Sequence, residues 1–195
     1  MKFSSPEGAT PIDPDTLHDL IPSLATQVEL NEFEAANISK AMEWADRSRK
    51  LKGNLLSISG LRLLHERMFD ETWKWAGKFR RRELNIGIEP SQIQPTLASL
   101  MEDVKYWLEN KTYSLDEIAV RFHYRIVKIH PFLNGNGRLG RLSADLLMEF
   151  HGGEKFSWGA KSLTTDSDNR AQYLKFLREA DKTGGVKSLL RFARS

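Results

Sequence analysis

The sequence predicts a mostly α-helical protein with one small β element, and three observations support this. Apolar residues recur at three- to five-residue steps over most of the 195-residue chain, the spacing that places them on one face of a helix. Helix-start signals precede several of these stretches, and glycine or proline follows them. Residues 79–93 lose this period and contain Gly87 and Pro90, which is typical of a short hairpin or exposed loop.

The composition is that of a soluble globular protein, with 40% hydrophobic and 28% charged residues. The chain has no cysteine, which excludes disulfides and thiolate metal sites and makes the reducing cytoplasm the expected location. The opening stretch MKFSSPEGATPIDPD lacks the apolar segment of a secretion signal. No apolar run is long enough for a membrane span, so no membrane partner is expected.

Residues 1–56 are expected to form an N-terminal arm and a leading helix, and residues 57–195 the core of the same single domain. Residues 1–25 contain four prolines, which predict an extended arm lying on the body. The leading helix is expected over residues 26–50, and Thr26 with Glu29 fits the capping box that starts a helix. Its predicted buried face carries Leu30, Phe33, Ile38, Met42 and Ala45.

Further helices are expected over residues 57–69, 91–110, 114–129, from within 135–138 to 150, 168–181 and 186–193. Ser114 and Glu117 fit a second capping box. Two histidines inside these helices, His65 and His123, lie on apolar faces and are interpreted as structural. The same interpretation applies to a set of large side chains expected in the core: Met68, Trp73, Trp75 and Trp107.

The stretch HPFLNGNGRLGR, residues 130–141, lies between two predicted helices. Gly135, Asn136 and Gly137 form the turn into the second helix, whose free amides and dipole favour an anion. Arg138 and Arg141 lie three residues apart, so both guanidinium groups can face the same side. Arginine suits phosphate oxygens, so the turn predicts a di- or triphosphate site that is neither a Walker loop nor a Rossmann fingerprint.

His130 stands at the edge of this predicted phosphate site. A neutral imidazole in that position can take a proton from an attacking hydroxyl, which makes His130 the candidate general base.

At these residues the chain resembles the Fic family, whose motif is H-P-F-x-D/E-G-N-G-R-x-x-R. The flanking segments LRLLHERMFDETWKWAGKFR, residues 61–80, and RAQYLKFLREAD, residues 170–181, are also similar to the family. SSPEGATPIDP, ELNEFEAANI and FSWG resemble the bacterial subgroup called mobile mystery protein B. The resemblance implies an all-α, Fic-like helical bundle with a small β-hairpin flap over the active site.

The resemblance further implies a protein adenylyltransferase that moves AMP from ATP, with Mg²⁺ or Mn²⁺, to a hydroxyl of a target protein. His130 matches the general base, and the backbone of residues 135–137 matches the cradle for the α- and β-phosphates. Arg138 matches the ligand of the β-phosphate and Arg141 that of the γ-phosphate. Phe132 matches a core anchor, and Tyr173 is a candidate contact to the nucleobase, although an ordinary core tyrosine fits equally well.

The flap is expected at residues 83–93, where an extended segment of an unidentified target protein would add as a strand. Modification of the chain itself is a further expectation. Nucleic acid is disfavoured as a partner, although basic residues cluster at 78–82 and 138–141, because no helix carries a basic stripe with base-reading side chains.

One position departs from the family pattern. Asn134 stands where most members have the acid that helps to hold Mg²⁺, and an amide oxygen ligates the ion without charge. Phosphates could still carry the ion, so weakened activity is expected. The alternative is a nucleotide- or phosphate-binding regulator with little or no catalysis.

Many family members carry an inhibitory S/T-x-x-x-E-G/N helix, whose glutamate pairs with the second motif arginine. The nearest match is ATQVELN, residues 25–31, with Glu29 as the inhibitory glutamate and Arg141 as its partner. The capping box of Thr26 and Glu29 is the favoured interpretation. Glu32 and Glu34 on the same helix are alternatives.

Overall fold

Eight α-helices make up most of the computed structural model, which describes residues 14–160 and 166–195. They are α1 Gln27–Arg47, α2 Arg49–Lys52, α3 Ile58–Phe69, α4 Ile93–Glu109, α5 Leu115–Ile129, α6 Asn136–Phe150, α7 Asp166–Thr183 and α8 Lys187–Arg194. These bounds lie close to the predicted ones. None of the described helices is long and apolar enough to cross a lipid bilayer.

Helices α5 and α6 pack against each other and are joined by the turn of residues 130–135. α4 and α8 also pack on α5, whereas α1 and α3 pack on each other and both reach α6. The buried faces are apolar, with Leu64, Phe122 and Leu146 fully enclosed. The turn of the motif is therefore held between helices from both halves of the chain.

The buried face of α1 differs from the predicted one. Phe33 and Met42 are each 42% exposed, so their assignment to the core was wrong. The buried positions are Leu30, Glu34, Asn37, Ala41 and Ala45, which keep a step of three or four residues. Glu34 and Asn37 are polar, and both are hydrogen-bonded, which offsets the cost of burying them.

The arm before α1 lies on the body, as expected, through contacts to residues 72–74. The amide of Ile21 donates to the carbonyl of Thr72 (2.9 Å), and the amide of Lys74 donates to the carbonyl of Asp19 (2.9 Å). Residues Pro14–Asp19 form a 3-10 helix, where an extended arm was predicted. The part of the arm before residue 14 lies outside the described residues.

The two predicted capping boxes have different outcomes. In α1 both halves are present, because the Thr26 hydroxyl accepts from the amide of Glu29 and the Glu29 carboxylate accepts from the amide of Thr26. In α5 the Ser114 hydroxyl accepts from the amide of Glu117 (3.3 Å), but the Glu117 carboxylate binds Arg121 one turn later (2.7 Å). The nearby guanidinium therefore replaces the second half of that box.

No residue of the predicted flap, 83–93, belongs to a β-strand. The β pairing seen among the described residues is an isolated bridge between Leu20 and Trp73. Residues 81–89 run as an irregular loop into the 3-10 helix Pro90–Gln92. The backbone groups that a hairpin would pair across its strands find other partners. The amide of Ile88 donates to the carbonyl of Ile129 (3.3 Å), and the carbonyls of Arg82 and Ile88 accept from the side chain of Arg80.

Candidate active site

A cleft of about 790 Å³ opens at the turn between α5 and α6. Its walls come from α1, the loop 81–89, the end of α5, the start of α6 and the face of α7. The structure brings together eight of the nine predicted site residues along this cleft: His130, Asn134, Gly135, Asn136, Gly137, Arg138, Arg141 and Tyr173.

The N-terminus of α6 faces the cleft through a tight turn at Gly135. This residue has φ +79°, and a Cβ built on it would lie 2.5 Å from the ring of Phe69, so a side chain fits neither the backbone nor the space. The first amides of a helix have no acceptors within it, and α6 closes its first bond from the amide of Leu139 to the carbonyl of Gly135 (2.9 Å). The helix start therefore offers the geometry that anions bind.

The side chain of Asn136 braces the turn, while its backbone belongs to the helix start. Its Oδ1 accepts from the amide of Phe132 (3.0 Å) and its Nδ2 donates to the carbonyl of the same residue (2.9 Å). Phe132 is fully buried and stacks on His65, with ring centroids 3.7 Å apart. His65 Nδ1 accepts from the amide of Gly77 (3.0 Å), so Nε2 carries the proton and donates to the carbonyl of Asn134 (3.1 Å).

His130 occupies the C-terminal cap of α5 in the left-handed region, with φ 53° and ψ 60°. Its amide still donates to the carbonyl of Ile126 (3.0 Å), and the residue is 6% exposed. Burial, together with the positive charge of Arg80, lowers the pKa of His130 to about 4. The imidazole is therefore neutral at pH 7, which is the form that a general base requires.

Arg80 lies beneath His130 and is 3% exposed. Its Nε donates to the carbonyl of His130 (2.7 Å), and its own amide donates to the carbonyl of Pro131 (3.0 Å). Two further donors bind the carbonyls of Arg82 and Ile88 in the loop 81–89. Arg80 therefore connects the residue of the candidate base to the loop that forms one wall of the cleft.

The two motif arginines have different partners. Arg138 Nη1 lies 2.6 Å from Glu34 Oε2 of α1, and its guanidinium lies over the ring of Phe69. Arg141 lies over the ring of Tyr173, at 5.3 Å from the ring centroid. The other carboxylate oxygen of Glu34, Oε1, accepts a hydrogen bond from Nε1 of Trp73 (2.7 Å), which fixes the side chain.

The Fic/DOC family model matches residues 55–148, from just before α3 into the last turn of α6. This part of the chain is a Fic domain. The chain is 32% identical over 119 residues to "Protein adenylyltransferase Fic" of Drosophila grimshawi, an alignment covering 60% of this chain and 23% of that protein. The chain thus spans about a quarter of the length of this curated relative.

Solved Fic-domain structures share the fold over nearly the whole chain. A Bartonella tribocorum BepC protein with bound AMPPNP is 18% identical and superposes with a TM-score of 0.67, covering 96% of this chain and 92% of that one. The N-terminal Fic domain of a Bartonella quintana cell filamentation protein with bound ADP is 20% identical, with a TM-score of 0.68 and coverage of 90% and 87%. The helical fold predicted from the resemblance is confirmed.

Tyr173 belongs to α7, beyond the residues that match the family model, and lies beside the start of α6. Its hydroxyl lies 3.2 Å from Nε2 of His123, and the guanidinium of Arg141 lies over its ring. Burial raises the pKa of the Tyr173 hydroxyl to about 12. A Cβ built on Gly137 would lie 3.6 Å from the same hydroxyl. Tyr173 therefore packs beside Gly137 and Arg141 at the start of α6, and its contact to a nucleobase stays a prediction.

Among the glutamates of α1, Glu34 is the one that pairs with a motif arginine, and that arginine is the first of the two, Arg138. The predicted candidate, Glu29, is occupied at the start of α1, where its carboxylate accepts from the amides of Ala25 (2.7 Å) and Thr26 (2.8 Å). The proposed pairing of Glu29 with Arg141 was therefore wrong, and the capping interpretation is confirmed. The spacing of Glu34 from Leu30 and Asn37 is the sequence signal that marks it as inward-facing.

The donors near Asn134 do not form a resident metal site. Its Oδ1 accepts from the amide of Gly135 (2.7 Å), and the described part of the chain has no group of three or more His, Cys, Asp or Glu placed to hold a metal ion. Mg²⁺ takes several oxygen ligands and favours charged ones. The described residues around Asn134 therefore supply no set of charged ligands for Mg²⁺.

Three buried histidines predict a loss of stability in weak acid. Burial lowers the pKa of His65 and His123 to about 3, and that of His130 to about 4. Near pH 6.5 these groups begin to bind protons in the unfolded chain only, so their stabilising contribution is complete above pH 6.5 and is lost as the pH falls. The free energy of unfolding should decrease by about 1.4 kcal/mol per pH unit for each such proton.

Urea unfolding between pH 7.5 and 5.0 measures this effect, since most carboxylates titrate below that window. A midpoint that stays constant across it would show that these imidazoles are not held neutral.

Proposed function

We propose that this chain is a protein adenylyltransferase, which transfers AMP from ATP to a hydroxyl side chain of a target protein. The observation that carries the proposal is a neutral, buried His130 beside the N-terminus of α6, in one cleft with Arg138 and Arg141. The name of the curated relative, "Protein adenylyltransferase Fic", supports the same activity. AMPPNP and ADP bound to structures of the same fold are consistent with an adenine nucleotide.

The reaction follows from the arrangement of these groups. The hydroxyl oxygen of the target attacks the α-phosphorus of ATP while the imidazole of His130 takes the hydroxyl proton. The bond from the α-phosphorus to the bridging oxygen breaks, and pyrophosphate leaves. The amides at the start of α6 hold the phosphates, and Arg138 and Arg141 neutralise the charge that grows on the leaving group.

The target segment would lie along the loop 81–89, whose residues 85–88 line the cleft. Ile86 is 42% exposed there and can contact an apolar side chain of the target. An extended segment on this loop would bring its hydroxyl to His130, since the loop is hydrogen-bonded to the end of α5.

The deciding experiment is incubation of the purified protein with each of ATP, GTP, CTP and UTP and Mg²⁺ or Mn²⁺, with and without a bacterial lysate. Mass spectrometry then reads adducts on the chain itself and on lysate proteins. An AMP adduct that requires His130 supports the proposal and identifies the base. Nucleotide binding by calorimetry without any adduct would favour the alternative, a nucleotide-binding regulator, which Asn134 in place of an acid also favours.

We further propose that the divalent ion enters as part of the substrate, bound to the phosphates of ATP. Asn134→Asp is then expected to raise turnover several-fold at low Mg²⁺, because a carboxylate adds a charged oxygen ligand at the edge of the cradle. A Mg²⁺ titration of the transfer rate measures the effect, with Asn110→Asp at the exposed end of α4 as the matched control. Identical titration curves for Asn134→Asp and the unmodified protein would contradict this assignment.

A further inference from the structure

We propose that Arg80 is a positioning residue, which fixes the backbone of His130 and couples it to the target-binding loop 81–89. The inference rests on the proposed function, because it gives Arg80 a part in the same proton transfer. Arg80 contacts the backbone carbonyl of His130, and it acts on the reaction only by positioning that residue.

The first support is the set of acceptors around the guanidinium. Nε donates to the carbonyl of His130 (2.7 Å), Nη1 to that of Arg82 (3.0 Å), and Nη2 to those of Ile88 and Ile129 (3.5 Å for the latter). All four are backbone oxygens, and the residue is 3% exposed. A buried cation is tolerated only when its donors are satisfied, and arginine alone among the side chains offers five donors in a fixed plane.

The second support is the backbone of His130 itself. A non-glycine residue with φ 53° is uncommon and persists where the surroundings hold it. The last carbonyls of a helix have no amide donors within it, and Arg80 donates to the carbonyls of Ile129 and His130. Removing the guanidinium leaves this turn without the contacts that set the direction of the imidazole.

The third support is the close contact between the loop and the base. A Cβ built on Gly87 would lie 2.7 Å from the Cβ of His130 and 2.8 Å from Nη2 of Arg80, and Gly87 itself has φ +97°. The amides of Arg80 and Ile88 donate to the carbonyls of Pro131 and Ile129. Binding of a target segment to the loop would therefore also affect the position of His130, which couples docking of the target to alignment of the base.

After burial, the positive charge of Arg80 is the second cause that lowers the pKa of His130. The charged side chains that line the cleft are Glu34 of α1, Lys128 of α5, Arg138 and Arg141 of α6, and Arg170, Arg178 and Asp181 of α7. These groups stay unchanged when Arg80 alone is replaced. Substitutions that keep or remove the charge at Arg80 therefore separate its electrostatic effect from its geometric one.

The test compares Arg80→Lys and Arg80→Met, with Arg49→Met on the exposed surface of α2 as the matched control. Three quantities are measured: the transfer rate, ATP affinity by calorimetry, and the pKa of His130 from an NMR titration of its ring. Both variants should lose about a hundredfold in transfer, the effect of a misplaced catalytic group, with ATP affinity within about threefold. The pKa of His130 should stay low in Arg80→Lys and rise in Arg80→Met, but it should remain below 6.5 because burial, the larger cause, is unchanged.

The proposal is overturned if Arg80→Lys transfers AMP at the rate of the unmodified protein, or if ATP affinity falls in step with transfer. Gly87→Ala tests the same coupling in a protein that retains Arg80, should the arginine variants fail to fold; it should lose transfer and keep ATP binding. The NMR titration needs no transfer reaction. If the unmodified protein forms no adduct, the proposed function fails, while the pKa of His130 in the Arg80 variants still reports on the contact.

Discussion

His130→Asn is expected to lower AMP transfer by at least about a hundredfold and to leave ATP affinity within about threefold. In the proposed mechanism the imidazole accepts the hydroxyl proton, whereas the phosphates bind the start of α6 and two arginines, all of which line the same cleft. Asparagine is the suitable replacement because it tolerates the left-handed backbone found at this residue. The variant therefore removes the base without disturbing the turn.

Transfer is measured by mass spectrometry of the adduct, and affinity by calorimetry with a non-hydrolysable ATP analogue. His151→Asn, at the exposed end of α6, is the matched control and should behave as the unmodified protein does. Undiminished transfer by His130→Asn would remove the general base from the mechanism. A parallel loss of ATP affinity would instead indicate that the turn, including the carbonyl bound by Arg80, has moved.

The helices could be predicted because their signals are local. Three helices begin with a side-chain cap, in which a hydroxyl accepts a hydrogen bond from the amide three residues later: Thr26, Ser57 and Ser114. Serine and threonine are preferred at this position, so such caps can be recognised in a sequence. The position of the candidate phosphate site could be predicted for the same reason, since its glycines and arginines lie within seven consecutive residues, 135–141, and they line one cleft. Phosphate binding there stays a prediction. The relative positions of residues so close in the sequence follow from the turn and the helix that contain them.

The sequence left Glu34 as one of several candidate glutamates and indicated no role for Arg80, because the partners of both residues lie far away in the sequence. The spacing of Glu34 from Leu30 fits an inward-facing position, but its partners Trp73 and Arg138 are 39 and 104 residues away in the sequence. Phe33 beside it has the more apolar side chain, and a pattern of apolar residues alone selected it wrongly. The flap shows the same limit, because the side chain of Arg80 takes carbonyls that the sequence would assign to a hairpin.

Glu34→Gln is expected to raise ATP affinity by about tenfold and to raise AMP transfer with it. The Glu34 carboxylate lies 2.6 Å from Arg138, and its side chain is 9% exposed, so the phosphates must displace it to reach the same guanidinium. A hydrogen bond to a charged group contributes about 1.5–3 kcal/mol, which corresponds to roughly ten- to a hundredfold in affinity. Glutamine removes the charge and retains an oxygen for Nε1 of Trp73.

The opposite outcome has an equally clear physical meaning. If Glu34 holds Arg138 in the orientation that phosphate needs, Glu34→Gln lowers ATP affinity, and the inhibitory interpretation is wrong. Glu32→Gln, exposed on the same helix, controls for the loss of one negative charge from α1. Because the effect must pass through the guanidinium, Glu34→Gln should change affinity little in an Arg138→Ala background, and calorimetry of the four proteins in this cycle measures the coupling directly.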